Sequence, residues 1–150
     1  MTRLTRRGAL GFGVAGLGAA ACTTTGEGAA YAGKAAFGHG VASGDPTQTA
    51  VIIWTRVTPD AAGPVPVMWN VARDAAMKDV VKKGVFTTGP ERDYTVKIDV
   101  DGLEAGQLYY YWFTAGQASS PAGVTRTLPA SGMADYRMAV VSCSNFPFGY

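Results

Sequence analysis

The sequence predicts an all-β protein, an antiparallel β-sandwich of six or seven short strands, and three observations carry that prediction. The dominant hydrophobic period from Val41 onward is two. Tyr94, Val96, Ile98 and Val100 alternate with Thr95, Lys97, Asp99 and Asp101, the pattern of a strand buried on one face only. Turn signals recur between such runs, at Gly44-Asp45-Pro46, Pro59-Asp60, Gly63-Pro64, Gly89-Pro90 and Asp101-Gly102. The one helical patch, Asp74 to Val80, is too short to be more than a turn.

Composition agrees. At 150 residues the chain is 47% apolar and 16% charged, too apolar for a disordered tail and long enough to bury one core. Its 20 glycines follow no three-residue period, which excludes collagen. Two cysteines cannot build a disulfide framework, and one histidine leaves little for a histidine-based metal site or triad. No P-loop, dinucleotide fingerprint, CxxC pair or serine elbow occurs.

Residues 1–21 read as an export signal. Arg3, Arg6 and Arg7 precede a Gly/Ala-rich apolar run from Gly8 to Ala21, shorter than a membrane span, and no acid comes before Glu27. The pair Arg6-Arg7 resembles the twin-arginine type, which engages a dedicated export machinery; an ordinary secretory signal containing Arg-Arg is the alternative. Cys22 directly follows Ala19-Ala20-Ala21 and resembles a bacterial lipidation site. Plain cleavage after Ala21 or near Ala32 competes with it. Either outcome gives a periplasmic or extracellular protein, membrane-anchored where Cys22 is lipidated. Without residues 1–21 the count is ten basic against eleven acidic residues, so no basic patch suggests nucleic acid. Residues 22–36 are rich in Gly, Ala and Thr and read as a flexible tether.

Residues 37–130 form the expected sandwich. Val51, Ile53, Thr55 and Val57 share one face, opposite Ile52, Trp54 and Arg56. Val65, Val67, Trp69 and Val71 alternate with Pro66, Met68, Asn70 and Ala72. Val80 to Thr87, Gln107 to Ala115 and Gly123 to Leu128 complete the strands. Leu103-Glu104-Ala105-Gly106-Gln107-Leu108-Tyr109 resembles the tyrosine corner of fibronectin type III and immunoglobulin-like domains, with Tyr109 bonding back to the loop before it. A plain aromatic strand is the alternative. Tyr109, Tyr111 and Phe113 face one side, Leu108, Tyr110 and Trp112 the other; the second row suits a neighbouring domain or an exposed rim. His39, among glycines, reads as structural, Asp45 as an Asx-type turn, and Asp99 with Asp101 as a solvated face.

After Pro129 the pattern changes. Ala130-Ser131-Gly132 reads as a linker, and Met138-Ala139-Val140-Val141 as a strand buried on both faces in a parallel sheet. Residues 131–150 therefore look like the start of a second, truncated α/β domain. Cys143 lies where ligands gather in such sheets, just past the strand's carboxyl end. It suits a metal-binding thiolate, a nucleophile or a buried small residue. A disulfide from Cys22 to Cys143 needs an unlipidated Cys22 in an oxidising compartment.

The segments Phe37-Gly38-His39-Gly40-Val41-Ala42-Ser43-Gly44-Asp45-Pro46 and Val51-Ile52-Ile53-Trp54-Thr55-Arg56 resemble the N-terminal domain of PhoD-like alkaline phosphatases. Asp93-Tyr94-Thr95-Val96-Lys97, Gly102-Leu103, Tyr109-Tyr110-Tyr111, Thr125-Arg126-Thr127-Leu128-Pro129 and Ala139-Val140-Val141-Ser142-Cys143-Ser144 fit in order. The resemblance implies an exported metallophosphoesterase acting on phosphate mono- and diesters; a monomer is expected. It implies a site with one ferric ion and calcium ions, Cys143 as an iron ligand, and the remaining ligands downstream. The 150-residue chain alone is then expected to be inactive. A stand-alone fibronectin-like binding module of a surface lipoprotein is the competing reading.

Overall fold

The computed structural model describes residues 31–132 and Ala139. Ten strands are β1 (Ala35–Ala36), β2 (Val41–Gly44), β3 (Val51–Arg56), β4 (Thr58–Pro59), β5 (Val65–Ala72), β6 (Val80–Thr88), β7 (Thr95–Val100), β8 (Leu108–Ala115), β9 (Ala118–Ser119) and β10 (Gly123–Arg126). A single 3₁₀ turn, Pro90–Arg92, joins β6 to β7. Every pairing is antiparallel.

Two sheets face each other, β2-β3-β7 and β10-β8-β5-β6, with β9 on the edge of β8. Three strands against four is the fibronectin type III partition, since β6 stays with β5 instead of crossing to β7. The period-two faces fall as the sequence predicts. Val51, Ile53 and Thr55 of β3, Val65, Val67 and Val71 of β5, and Tyr109, Tyr111 and Phe113 of β8 are all buried. Their alternate neighbours Ile52, Trp54 and Arg56, and Tyr110 and Trp112, are half-exposed. Burying one face of each strand supplies the main driving force, on the order of 2 kcal/mol for each large apolar side chain.

Two glycines matter because of space. Gly84 stands opposite Trp69 in the β5–β6 ladder. A Cβ built there would lie 2.7 Å from the indole, so the ring rests directly on the glycine. Gly123 stands opposite Tyr111 in the same way, with the phenol ring over it. Both pairs fill a gap in the sheet with an aromatic ring from the facing strand.

Among the described residues, every buried polar side-chain atom has a hydrogen-bond partner. The Thr55 hydroxyl donates to the Gly40 carbonyl at 2.8 Å, and Thr88 to the Thr95 carbonyl at 2.7 Å. Ser120 accepts the Phe113 N–H at 2.9 Å and donates to the Pro121 carbonyl at 2.8 Å. Such pairing removes the desolvation penalty these groups would otherwise carry.

The segment 31–36, inside the stretch read as a tether, is joined to the sandwich. β1 pairs with β4 through Ala35–Pro59 and Ala36–Thr58. The Asp60 N–H donates to the Lys34 carbonyl at 2.9 Å, and the Tyr31 hydroxyl to Asp60 at 3.2 Å. Asp74 to Asp79 is a turn, as its length requires. The Asp74 carboxylate accepts the N–H groups of Lys78 (2.9 Å) and Asp79 (2.7 Å), which hold it below the usual carboxylate range, the Asp79 bond foremost. At Asp45 the reading needs correcting. Its φ of 47° puts it in the left-handed region, which aspartate tolerates, but the turn is closed by Thr47. The Thr47 hydroxyl accepts the N–H groups of Thr49 (3.2 Å) and Ala50 (2.9 Å), a Ser/Thr turn instead of an Asx turn.

Candidate functional site

The chemistry-bearing side chains of the sandwich gather at its two ends. At one end, where β3 finishes and β2 and β7 begin, Arg56 projects from the outer face of β3. Its Nε and Nη2 bond both oxygens of Asp93, at 3.1 and 2.8 Å. Its Nη1 reaches His39 Nε2 at 2.9 Å and the Thr58 hydroxyl at 3.3 Å. A guanidinium has no acceptor, so in this contact His39 Nε2 is the acceptor. The Asp93 carboxyl is held below the usual range, first by these Arg56 hydrogen bonds. Side-chain exposure of 25% for Arg56 and 75% for Asp93 makes this a surface ion pair, which adds little stability by charge alone. Its effect is positional: it ties together the entries to β2 and β7 and the exit of β3.

That tie holds a strained stretch. Asp93 and Tyr94 have φ of 52° and 55°, a conformation rare for any side chain and an outlier for a bulky one. Four further bonds oppose the strain. The Asp93 N–H donates to the Pro90 carbonyl at 3.2 Å and the Tyr94 N–H to the Gly89 carbonyl at 3.0 Å. The Tyr94 carbonyl accepts Val57 N–H at 3.1 Å, and its hydroxyl accepts Gly63 N–H at 3.2 Å. Four of the five Arg56 N–H donors are taken up within the cluster, and His39 Nε2 is bound to one of them. His39 is structural here, as its surroundings in the sequence suggest.

At the opposite end the chain leaves the sandwich. The Tyr109 hydroxyl accepts the Glu104 N–H at 2.9 Å, so the tyrosine corner is formed. Thr127, just past β10, donates its hydroxyl to the Glu104 carbonyl at 2.6 Å and accepts the Gln107 N–H at 3.0 Å. Leu128 N–H donates to the Thr47 carbonyl at 2.8 Å, and Gly106 N–H to the Leu128 carbonyl at 2.9 Å. Gln48 Nε2 bonds the Ala130 carbonyl at 3.3 Å. Beside this clasp Arg73 pairs with Glu104 at 2.6 Å and Asp79 at 3.5 Å, leaving no unpaired charge among those three. Sequence reasoning extended the last strand to Leu128; β10 ends at Arg126 because Thr127 and Leu128 turn their bonds to these two loops.

The residues chosen from sequence for chemistry or processing, Cys143, Cys22, Arg6 and Arg7, lie outside the described residues. So do Met138 and the apolar residues Val140 and Val141. Asp99 and Asp101 are exposed, in keeping with a solvated face. Among the described residues no three His, Cys, Asp or Glu side chains could hold a metal ion. No step through iron or calcium is therefore derived from the described residues. Sequence reasoning missed the Arg56–Asp93 tie and the Thr127 clasp. Neither is announced locally: His39, Arg56 and Asp93 are far apart in the chain and meet only at one end of the fold, and Thr47, Glu104 and Thr127–Leu128 meet only at the other.

A model of the PhoD-like phosphatase N-terminal domain matches residues 21–129. Alkaline phosphatase D of Bacillus subtilis (strain 168) is 40% identical in a 123-residue match that covers 76% of this chain and 21% of that protein. The chain spans about a fifth of that relative's length. The solved structure of PhoD is 42% identical, covers 65% of this chain and 20% of its own, and superposes with a TM-score of 0.61. The solution structure of the sensor domain of the anti-sigma factor RsgI4 in Pseudobacteroides cellulosolvens shares the fold alone, at 13% identity and a TM-score of 0.50 over 79% of this chain and 98% of that one. The chain therefore belongs to the PhoD-like phosphatase family through its N-terminal domain.

Proposed function

We propose that the chain is the leading part of an exported phosphate-ester hydrolase, in which the sandwich is scaffold and the chemistry lies beyond Gly132. The carrying observation is the 40% identity to alkaline phosphatase D across 123 residues. In this reading Arg6-Arg7 directs twin-arginine export, and Cys22 is a lipid anchor or lies beside the cleavage site. The mature protein is a periplasmic or extracellular monomer. Fe(III) and calcium serve the parent enzyme, with Cys143 as an iron ligand. Metals of this kind polarise a phosphoryl oxygen and acidify bound water. The binding-module reading has no comparable support, since the RsgI4 likeness carries fold only.

The test compares the 150-residue chain with the full-length gene product, using p-nitrophenyl phosphate and bis-p-nitrophenyl phosphate in the presence of iron and calcium. The full product should turn over at least one ester, and Cys143→Ala should lower both turnover and bound iron. The short chain should be inactive. Turnover by the short chain overturns the scaffold assignment; an inactive full product overturns the hydrolase.

A further inference from the structure

Five large apolar side chains are conspicuously exposed among the described residues: Met68 (48%), Val80 (38%), Leu108 (39%), Val124 (56%) and Leu128 (36%). Three of them stand together. Val124 is the cross-strand partner of Tyr110, and Arg126 that of Leu108. Val124, Arg126 and Leu128 alternate outward while Thr125 and Thr127 are buried. The outer face of β8 and β10 thus presents Leu108, Tyr110, Trp112 and Val124, with Arg126 opposite Leu108, and Leu128 follows just past the end of β10. Apolar residues scattered singly over a surface need no explanation, but a contiguous group marks a contact surface.

The position of this face selects its occupant. The chain leaves the sandwich along the edge of the same face, and its exit is not free to swing. Leu128 is bonded through both its N–H and its carbonyl, and the Ala130 carbonyl is held by Gln48. Five residues separate Gly132 from the apolar run beginning at Met138. That distance is at most ~20 Å even fully extended. A domain beginning there must form close to Leu128 and Val124. The matched relative has about four fifths of its length outside this region.

We propose that the outer face of β8 and β10 is the seat of the phosphatase domain that follows the sandwich. The face packs against that domain, and the clasp of Thr127, Leu128 and Ala130 sets the angle at which the two meet. The occupant rests on the hydrolase reading above; the face itself does not.

Hydroxyl-radical footprinting of the full-length protein tests this with built-in references. Val80 is an exposed valine on another edge, and Val67 (0%) is a buried one. Leu103 (5%) is the buried leucine reference. Val124 should lose modification to the level of Val67, and Leu108 and Leu128 to that of Leu103, while Val80 stays reactive. Val124→Asp should restore reactivity at Leu108 and Leu128 and leave Val80 unchanged. Leu128→Asp, which lies beyond the β10 ladder, gives the same reading should Val124→Asp impair folding. Val124 reacting like Val80 in the wild type overturns the proposal. Protection that disappears on dilution assigns the face to a second copy and also overturns it. Ester turnover with an open face sinks the docking alone, whereas loss of turnover in the wild-type protein sinks the hydrolase reading.

Discussion

Tyr109→Phe isolates a single hydrogen bond. The ring is 1% exposed and packs in the core, so phenylalanine keeps its contacts and removes only the oxygen that accepts the Glu104 N–H at 2.9 Å. A buried donor left without a partner costs roughly 1–3 kcal/mol. Water cannot take the oxygen's place without displacing the ring. Glu104 itself sits on an exposed loop, however, which can relax toward solvent. The lower half of that range follows, about 1–2 kcal/mol. For a domain of this size the thermal midpoint should drop by roughly 5–10 °C. Tyr110→Phe is the control, because that ring lies half-exposed on the outer face. It should change stability by less than about 0.5 kcal/mol. Urea titration followed by tryptophan fluorescence measures both variants. A Tyr109→Phe loss no larger than that of Tyr110→Phe would refute the claim that the corner holds the loop to β8.

Two further outcomes are expected. Gly84→Ala drives a methyl into the Trp69 indole, 2.7 Å from the built Cβ, and the ring must leave its place on the sheet. Overpacking of this kind costs about 1–3 kcal/mol, so both the fluorescence maximum of the native state and the urea midpoint should move; an unchanged spectrum and midpoint would contradict the packing. Acid should also destabilise the fold. Asp60, Asp74 and Asp93 are all held below the usual carboxylate range in the native state, by the Lys34 backbone, the Asp79 N–H and Arg56 respectively as the leading causes. The unfolded chain then binds protons first as pH falls. The stability these groups add is present above the ordinary carboxylate range and drains away below about pH 5. Asp93→Asn should flatten part of that decline in thermal midpoint, and a wild-type midpoint constant from neutral pH to about pH 3 would contradict it.

Much of the sandwich is legible in the chain because its evidence is local. Alternation along Tyr94–Val100 tells which face turns inward without naming the partner strand. The six-residue spacing from Leu103 to Tyr109 encodes a corner whose two bonding groups lie five residues apart. Contacts that need a partner strand are not legible in this way. Arg56 and Asp93 are separated by 37 positions, and Gln48 and Ala130 by 82. Nothing in the neighbourhood of Gly84 announces that Trp69 will cover it. Asp93 and Tyr94 likewise carry no signal for positive φ, since the surrounding bonds, and not their own preferences, hold them there. The two-residue β1, β4 and β9 strands are shorter than any periodicity can reveal.

The segments that identify the family are also the ones that close the two ends of the sandwich, and this coincidence bears on what the domain is for. A free-standing module needs a core, which many apolar sequences can fill. It does not need its exit pinned through Thr47, Gln48, Gly106 and Gln107, because a binding module works equally well on a loose tether. Fixing the exit has a consequence only where the direction of the following chain matters. An apolar row on β8 and β10 beside that exit is the same requirement met by a surface. On the docking proposed above, the clasp and the row act together: one fixes the direction in which the chain leaves, and the other offers the following domain a surface beside that exit.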